Sequence, residues 1–167
     1  MKKLFTLLAL TMSFSMNAQM SDYSEGTSAT GSHAVAMGKS TTASGGFSTA
    51  MGGDSTASGD YSVAMGRNTT ASGEISTTMG RETTASDYAS FVIGQYNSSG
   101  SSVTNNATSF NTANTAFVIG NGADSSNKSD AFKVMFNGDT TVSNDLTVSG
   151  DVVVSSDARL KSNIVSL

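Results

Sequence analysis

The chain has 167 residues, 17 of them glycine, no proline, cysteine or tryptophan, and a formal net charge of −4. Only 13% of the residues are charged, against roughly 25% in an ordinary globular chain. These properties exclude disulfide stabilisation and a Cys/His zinc set, and the lack of any Lys/Arg cluster excludes the basic face that nucleic-acid binding needs.

The first element is a leader. Lys2 and Lys3 precede an apolar run from Leu4 to Met12, and small and polar residues then lead to Asn17, Ala18 and Gln19. A positive start, a short apolar core and a small residue at the cut describe a secretory signal peptide over residues 1–18. Met16 is larger than the residue usual two places before a cut. The run falls well short of the roughly 20 residues that span a bilayer, so the mature chain is expected to carry no transmembrane segment. The absence of a following cysteine speaks against a lipid anchor. The expected location is secreted or at the cell surface, with a mature chain more acidic than the whole.

Residues 19–122 keep a fourteen-residue beat. Met37-Gly38, Met51-Gly52, Met65-Gly66, Met79-Gly80 and Ile93-Gly94 recur at that spacing, as do Ala43-Ser44-Gly45, Ala57-Ser58-Gly59, Ala71-Ser72-Gly73 and Ala85-Ser86. A strict short period means one unit stacked on copies of itself. Within each copy, small residues (Ala34, Ala36, Ser48, Ala50, Ser62, Ala64) alternate with larger ones (Val35, Met37, Thr49, Met51, Val63, Met65). Period two predicts a strand with opposite faces, ended by a turn glycine at Gly38, Gly52, Gly66, Gly80, Gly94 and Gly120. A second short strand, Thr-Thr-Ala-Ser, follows. Two strands and two turns per period predict an all-β fold, a parallel solenoid whose coils stack at roughly 4.8 Å.

So small a coil has room inside only for Ala, Ser and Gly. The larger residues Val35, Met37, Met51, Val63, Met65, Met79, Phe91, Ile93, Phe117 and Ile119 are then left outside as a continuous apolar stripe. Soluble monomers rarely expose such a stripe beyond a few hundred Å², so a closed homo-oligomer is expected; a membrane-facing or ligand-facing stripe is the alternative. The word Ser62 to Gly66, its copies and the intervening Ala-Ser-Gly words resemble the head repeats of trimeric autotransporter adhesins. The resemblance covers roughly Thr27 to Gly94 and resumes over Ala116 to Gly120. It implies a left-handed parallel β-roll, a homotrimer around one axis, and adhesion to a host, matrix or surface glycan or protein receptor. Those adhesins end in a membrane-embedded β-barrel, for which no counterpart is legible in these 167 residues.

Between Gly94 and Gly120 the spacing is 26, two short of two coils. Residues 95–115, rich in Asn, Ser and Thr with Tyr96 and Phe110, are read as an irregular, partly looped coil. It is either a plain exposed loop or a binding loop on a rigid scaffold. After Gly122 the beat stops. Asp130 to Phe136 alternates, Asn137-Gly138 is a strong hairpin signal, and Thr141-Val142, Leu146 to Val148 and Val152 to Val154 follow as short strands. Residues 123–155 are therefore expected to form a narrow β connector.

The end of the chain, Ser156 to Ile164, resembles the opening of the intramolecular chaperone domain of phage tailspikes and fibres. That resemblance implies trimer assembly and an autocleavage bond between Ser156 and Asp157. Only ten residues follow Asp157, so 156–167 reads as a truncated start without the partner catalytic groups, and no proteolysis is assigned. A chance polar tail is the alternative.

Chemistry elsewhere is sparse. His33, the only histidine, occupies the slot of Phe47, Tyr61 and Ile75 and reads as structural. Asp54, Asp60, Glu74, Glu82 and Asp87 lack the nine-residue calcium-roll spacing and read as solvated turn acids. No metal site, cofactor or enzymatic activity is expected. Thr42, Thr56, Thr70 and Thr84, flanked by Ser44, Ser58, Ser72 and Ser86, would stack into a ladder like those of ice-binding solenoids, although Thr suits exposed strands generally. The leading expectation is an exported fibrous adhesin head. A passive fibre or tailspike-like trimer module and an ice-binding solenoid are the alternatives.

Overall fold

Alternating small and large residues, interrupted by glycine every fourteen positions, wind the chain into a flat β-solenoid. The computed structural model describes residues 20–21 and 26–150. The expected signal peptide (1–18) and the segment 156–167 with Ser156 and Asp157 lie outside the described residues, as does the end of the expected connector.

Strand β1 (Met20–Ser21) precedes the coils, each of which has one short and one long strand. They follow as β2 (Ser28–Ala29) and β3 (Val35–Lys39), β4 (Thr42–Ala43) and β5 (Thr49–Gly53), β6 (Thr56–Ala57) and β7 (Val63–Arg67). Then come β8 (Thr70–Ala71) and β9 (Thr77–Arg81), β10 (Thr84–Ala85) and β11 (Phe91–Gln95), and finally β12 (Thr115–Asn121), β13 (Asp130–Met135) and β14 (Thr140–Val142). The long strands form one nine-stranded sheet in the order β1-β3-β5-β7-β9-β11-β12-β13-β14. The short ones form a five-stranded sheet, β10-β8-β6-β4-β2. From β3 to β11 the long strands pair in parallel with like on like: Met37 with Met51, Met51 with Met65, Met65 with Met79 and Met79 with Ile93.

The interior holds what so thin a coil admits. Ala36, Ala50 and Ala64 from the long wall, Ala43, Ala57, Ala71 and Ala85 from the short wall, and Ala34, Ser48, Ser62, Thr41, Ser55 and Thr69 at the corners are all fully buried. The expectation of Ala, Ser and Gly alone is corrected at two places, the first being the corner threonines Thr41, Thr69 and Thr83. The long-wall position widens from Ala64 to Thr78, Val92 and Val118, each also fully buried. Val92 and Val118 pack on Ala85, where the short wall ends and the extra room must be filled. Small hydroxyls serve elsewhere by bonding inside: Thr69 Oγ1 donates to Ser55 Oγ at 2.9 Å and Thr78 Oγ1 to Thr83 Oγ1 at 2.7 Å.

The recurrent glycine does not end the strand as expected but sits one residue before its last member. Gly38, Gly52, Gly66, Gly80 and Gly94 have φ between 98° and 132°, a region that side chains rarely adopt. A Cβ on any of them would collide with the carbonyl of the next glycine in the file. Gly120 departs from this set. Its φ is not left-handed, and β12 runs through it to pair with Asp130 of β13, while Gln95 and Asn97 crowd the place of its missing Cβ. Each coil also turns at two non-glycine residues with φ near +55°: His33, Phe47, Tyr61, Ile75 and Ala89 at one corner, and Ser40, Asp54, Asn68 and Glu82 at the other. The second set is polar through Glu82, as a tight left-handed turn prefers, and ends at Tyr96 with φ 45°; the first is mostly apolar or aromatic, and Ile75 at +61° is a true outlier for a β-branched residue.

The segment after Gly94 departs from the fourteen-residue beat. β11 pairs directly with β12, Phe91 on Phe117 and Ile93 on Ile119, so residues 96–114 form a single enlarged coil. β12, β13 and β14 then continue the long wall in antiparallel fashion, with a tight turn at Asn137-Gly138 between the last two. Residues 130–142 thus extend the sheet itself.

Two outcomes test this packing. Gly66→Ala is expected to destabilise the fold by roughly 3 kcal/mol through overpacking and left-handed strain, whereas Gly53→Ala, with open space around the added methyl, stays within about 0.5 kcal/mol of the parent. Thermal and urea unfolding followed by circular dichroism reads the difference. Ser48 and Ser62 have buried hydroxyls without a hydrogen-bond partner, and Ala34 fills the same slot in the first coil. Ser48→Ala and Ser62→Ala are therefore expected to be neutral or more stable by up to about 1 kcal/mol in the same measurement.

Candidate functional site

The outer face of the long wall gathers every residue of the expected stripe. Two files run along it. One is Val35, Thr49, Val63, Thr77, Phe91 and Phe117; the other is Met37, Met51, Met65, Met79, Ile93 and Ile119. Val35, Met51, Val63, Met65, Met79, Ile93, Phe117 and Ile119 are half-buried, and Met37 and Phe91 are 37% and 38% exposed. Strand alternation sets this: from β3 to β11 the residue before each stripe residue is buried in the filled interior.

The stripe is longer than the fourteen-residue beat predicts. Phe132 pairs with Ile119 and with Val142, and Val134 pairs with Phe117. Paired residues share a face, so Phe132, Val134 and Val142 carry the apolar surface across the hairpin. The Phe117 ring stacks on Phe91 at 5.7 Å and meets Phe132 edge-on at 6.0 Å. The alternation of Ala131-Phe132-Lys133-Val134 signals this face, but not its alignment with the coils.

A separate file lies at the left-handed corner before the long strand. The rings of His33 and Phe47 stack at 4.8 Å, and those of Phe47 and Tyr61 at 5.0 Å, nearly parallel. Phe47, Tyr61 and Ile75 are 52%, 55% and 45% exposed. His33 Nδ1 is hydrogen-bonded to Ser32 Oγ at 2.8 Å, and its ring continues the stack. This corner file is distinct from the outer stripe because the positive φ swings these side chains off the wall.

On the short wall, Ser28, Thr42, Thr56, Thr70 and Thr84 pair in register as a single half-buried file. Ser72 Oγ donates to Ser86 Oγ at 3.1 Å beside it. Among the described residues no group of three or more His, Asp or Glu is arranged to hold a metal, and no helix is long and apolar enough to cross a membrane.

The enlarged coil is built around two side chains whose roles the sequence reading missed. Asp87, expected to be solvated, is fully buried. It stands where Gly45, Gly59 and Gly73 stand in earlier coils, and with no regular coil above it a side chain fits. Its carboxylate accepts the N–H groups of Thr104 at 2.6 Å and Thr115 at 2.8 Å, clasping both arms of the segment. Asn97 completes the other edge. Its Oδ1 accepts from Thr84 N at 2.8 Å and its Nδ2 donates to Thr84 O at 2.9 Å, so a side-chain amide replaces the peptide that another coil would bring. Asn114, also buried, accepts from Asn106 N and donates to Asn106 O. The clue was Ala85-Ser86-Asp87, where Gly was due. Further along, Asp124 closes a small exposed turn, its carboxyl held below the ordinary 3.8 by the Asn127 side chain and the Ser126 N–H.

Removing either clasp strands buried donors, which costs about 1–3 kcal/mol. Asp87→Ala and Asn97→Ala are each expected to speed proteolytic nicking within 98–113 and to raise amide exchange at Thr84, Thr104 and Thr115, while the amides of the first coils keep their protection. Hydrogen exchange with mass spectrometry checks both.

With this geometry in place, the comparisons are specific but local. Neither a curated protein nor a solved structure matches the chain. The family model of the YadA head domain repeat matches in overlapping windows, 29–55, 43–69 and 57–77. These windows span the coils from β2 to β9 and under a third of the chain, and over them the chain is similar to a trimeric autotransporter adhesin head.

Proposed function

We propose that the mature chain is an exported, non-enzymatic fibrous surface protein whose trimeric solenoid head mediates attachment to cells, matrix or another surface. The single observation that carries this reading is the outer stripe. A lone chain leaves a file of Met and Ile, and beside it a file of Val and Phe interrupted by Thr49 and Thr77, half in water along the wall. They cannot turn inward, because the interior is already full of Ala, Ser and Thr. Three copies packed about one axis would bury all of them with one repeated contact. The match to YadA head repeats supports the same assembly and an attachment role, for which fold alone is no warrant. The expected leader at 1–18 supports export. The resemblance of 156–167 to a tailspike-type chaperone, with its bond between Ser156 and Asp157, fits a trimer that needs assisted assembly.

The mature protein is expected to sediment at three chain masses. Met65→Glu places three like charges at the axis and is expected to yield single chains or aggregates, since an unpaired buried charge costs about 3–5 kcal/mol. Analytical ultracentrifugation reads both, and a stable, soluble single chain of parent sequence overturns the trimer. Beads coated with the trimer are expected to capture cells or matrix proteins. Failure against all of them removes the attachment role and leaves a passive fibre module.

A further inference from the structure

The end of the solenoid carries a polar cleft on the side opposite the stripe. Val118 is fully buried inside the roll and pairs with Lys133 across the strands, so Lys133 and its neighbour Thr141 lie on the inner side of the sheet. There the hairpin of β13 and β14 overhangs the last coil. Together with Asn121, Lys128 and Ser143, Lys133 and Thr141 line an open cleft of about 370 Å³. Its floor is fixed: Asp130, also in the lining, accepts the backbone N–H groups of Ser98 and Ser99, both at 2.8 Å, which ties the enlarged coil to β13.

The charge here runs against the rest of the chain. The protein is acidic, at −4, yet this lining holds two lysines against one carboxylate. The carboxylate is already engaged by two amides. Neither lysine ammonium forms an ion pair or hydrogen bond among the described residues. The remaining lining is hydroxyl and amide, with no aromatic ring for an apolar side chain and no arginine fork for a phosphate. Two free ammonium groups amid hydroxyls and an amide suit a ligand that is both polyhydroxylated and anionic.

From this placement we propose that the cleft binds an acidic sugar, a carboxylate- or sulfate-bearing unit of a surface glycan. The proposal deepens the attachment reading and rests on it only for placing the glycan on a surface. Because Lys133 faces away from Phe132 and Val134, packing three chains through the stripe leaves the cleft open to solvent. The lysines supply the attraction that an acidic chain otherwise lacks, and the hydroxyls give the sugar its orientation.

The test uses the full mature protein, with N-acetylneuraminate, glucuronate and N-acetylglucosamine 6-sulfate as probes. Neutral N-acetylglucosamine and acetate serve as controls. Microcalorimetry and amide NMR are expected to show at least tenfold tighter binding of one or more acidic sugars than of either control, with shifts at Asn121, Lys133 and Thr141. The carboxylated and sulfated probes separate the two sources of charge. Lys128→Gln/Lys133→Gln is expected to weaken that binding at least tenfold with unchanged sedimentation and circular dichroism, whereas Lys39→Gln, on a remote strand, leaves it intact. Equal binding of acidic and neutral sugars, or full binding by the double variant, overturns the proposal. If acidic sugars bind in the cleft but no surface is captured, the cleft stands and the attachment role falls. If surfaces are captured equally by parent and double variant while no acidic sugar binds, attachment stands and the cleft proposal falls.

Discussion

The closeness of the two walls governs this molecule. Across the roll the facing walls meet through alanine; along the stack, successive glycines in the Gly38 to Gly94 file lie so close that an added methyl would collide with the carbonyl of the next coil. A core of that thickness buries little apolar area per residue, at roughly 25 cal/mol per Å². The coil therefore cannot hide its own Met, Val and Ile. They go outside because no space exists within, and the need for a partner surface follows from that exclusion.

A stack of identical coils has a second difficulty, which is how to stop. An open parallel sheet offers unpaired peptide groups to any strand that arrives. This chain closes its two walls differently. The short wall ends under the amide of Asn97, which meets both polar groups of Thr84. The long wall continues through β12 into an antiparallel hairpin. Asp87 links the two solutions by holding Thr104 and Thr115 together. The widening of the interior from Ala64 to Val92 and Val118 occurs at the same level, where a regular short wall no longer fills the space.

The hairpin also separates two surfaces by strand alternation. Phe132, Val134 and Val142 lengthen the apolar stripe, while Lys133 and Thr141 face the cleft. One strand can thus serve assembly on one side and remain wet on the other. The corner file of His33, Phe47 and Tyr61 forms a third surface, where ring stacking offsets part of the cost of left-handed backbone at residues other than glycine.

Much of this was written in the local pattern. Spacing of fourteen, parity of Ala against Met, and a glycine after each Met determine an all-β solenoid, its small interior and the composition of its outer stripe, because each follows from a neighbour at fixed sequence distance. Asn137-Gly138 likewise announces its hairpin through local turn chemistry. What only the tertiary structure decided involves residues brought together from afar. It seated Phe91 on Phe117 across an enlarged coil, buried Asp87 where the sequence suggested a solvated acid, and set Asn97 over Thr84. It also turned Phe47 and Tyr61 off the wall, and gathered Lys128 and Lys133 beside Asn121. The physical reason is that a repeat specifies contacts between copies of itself, whereas the place where it ends is specified by side chains that answer groups with no periodic partner.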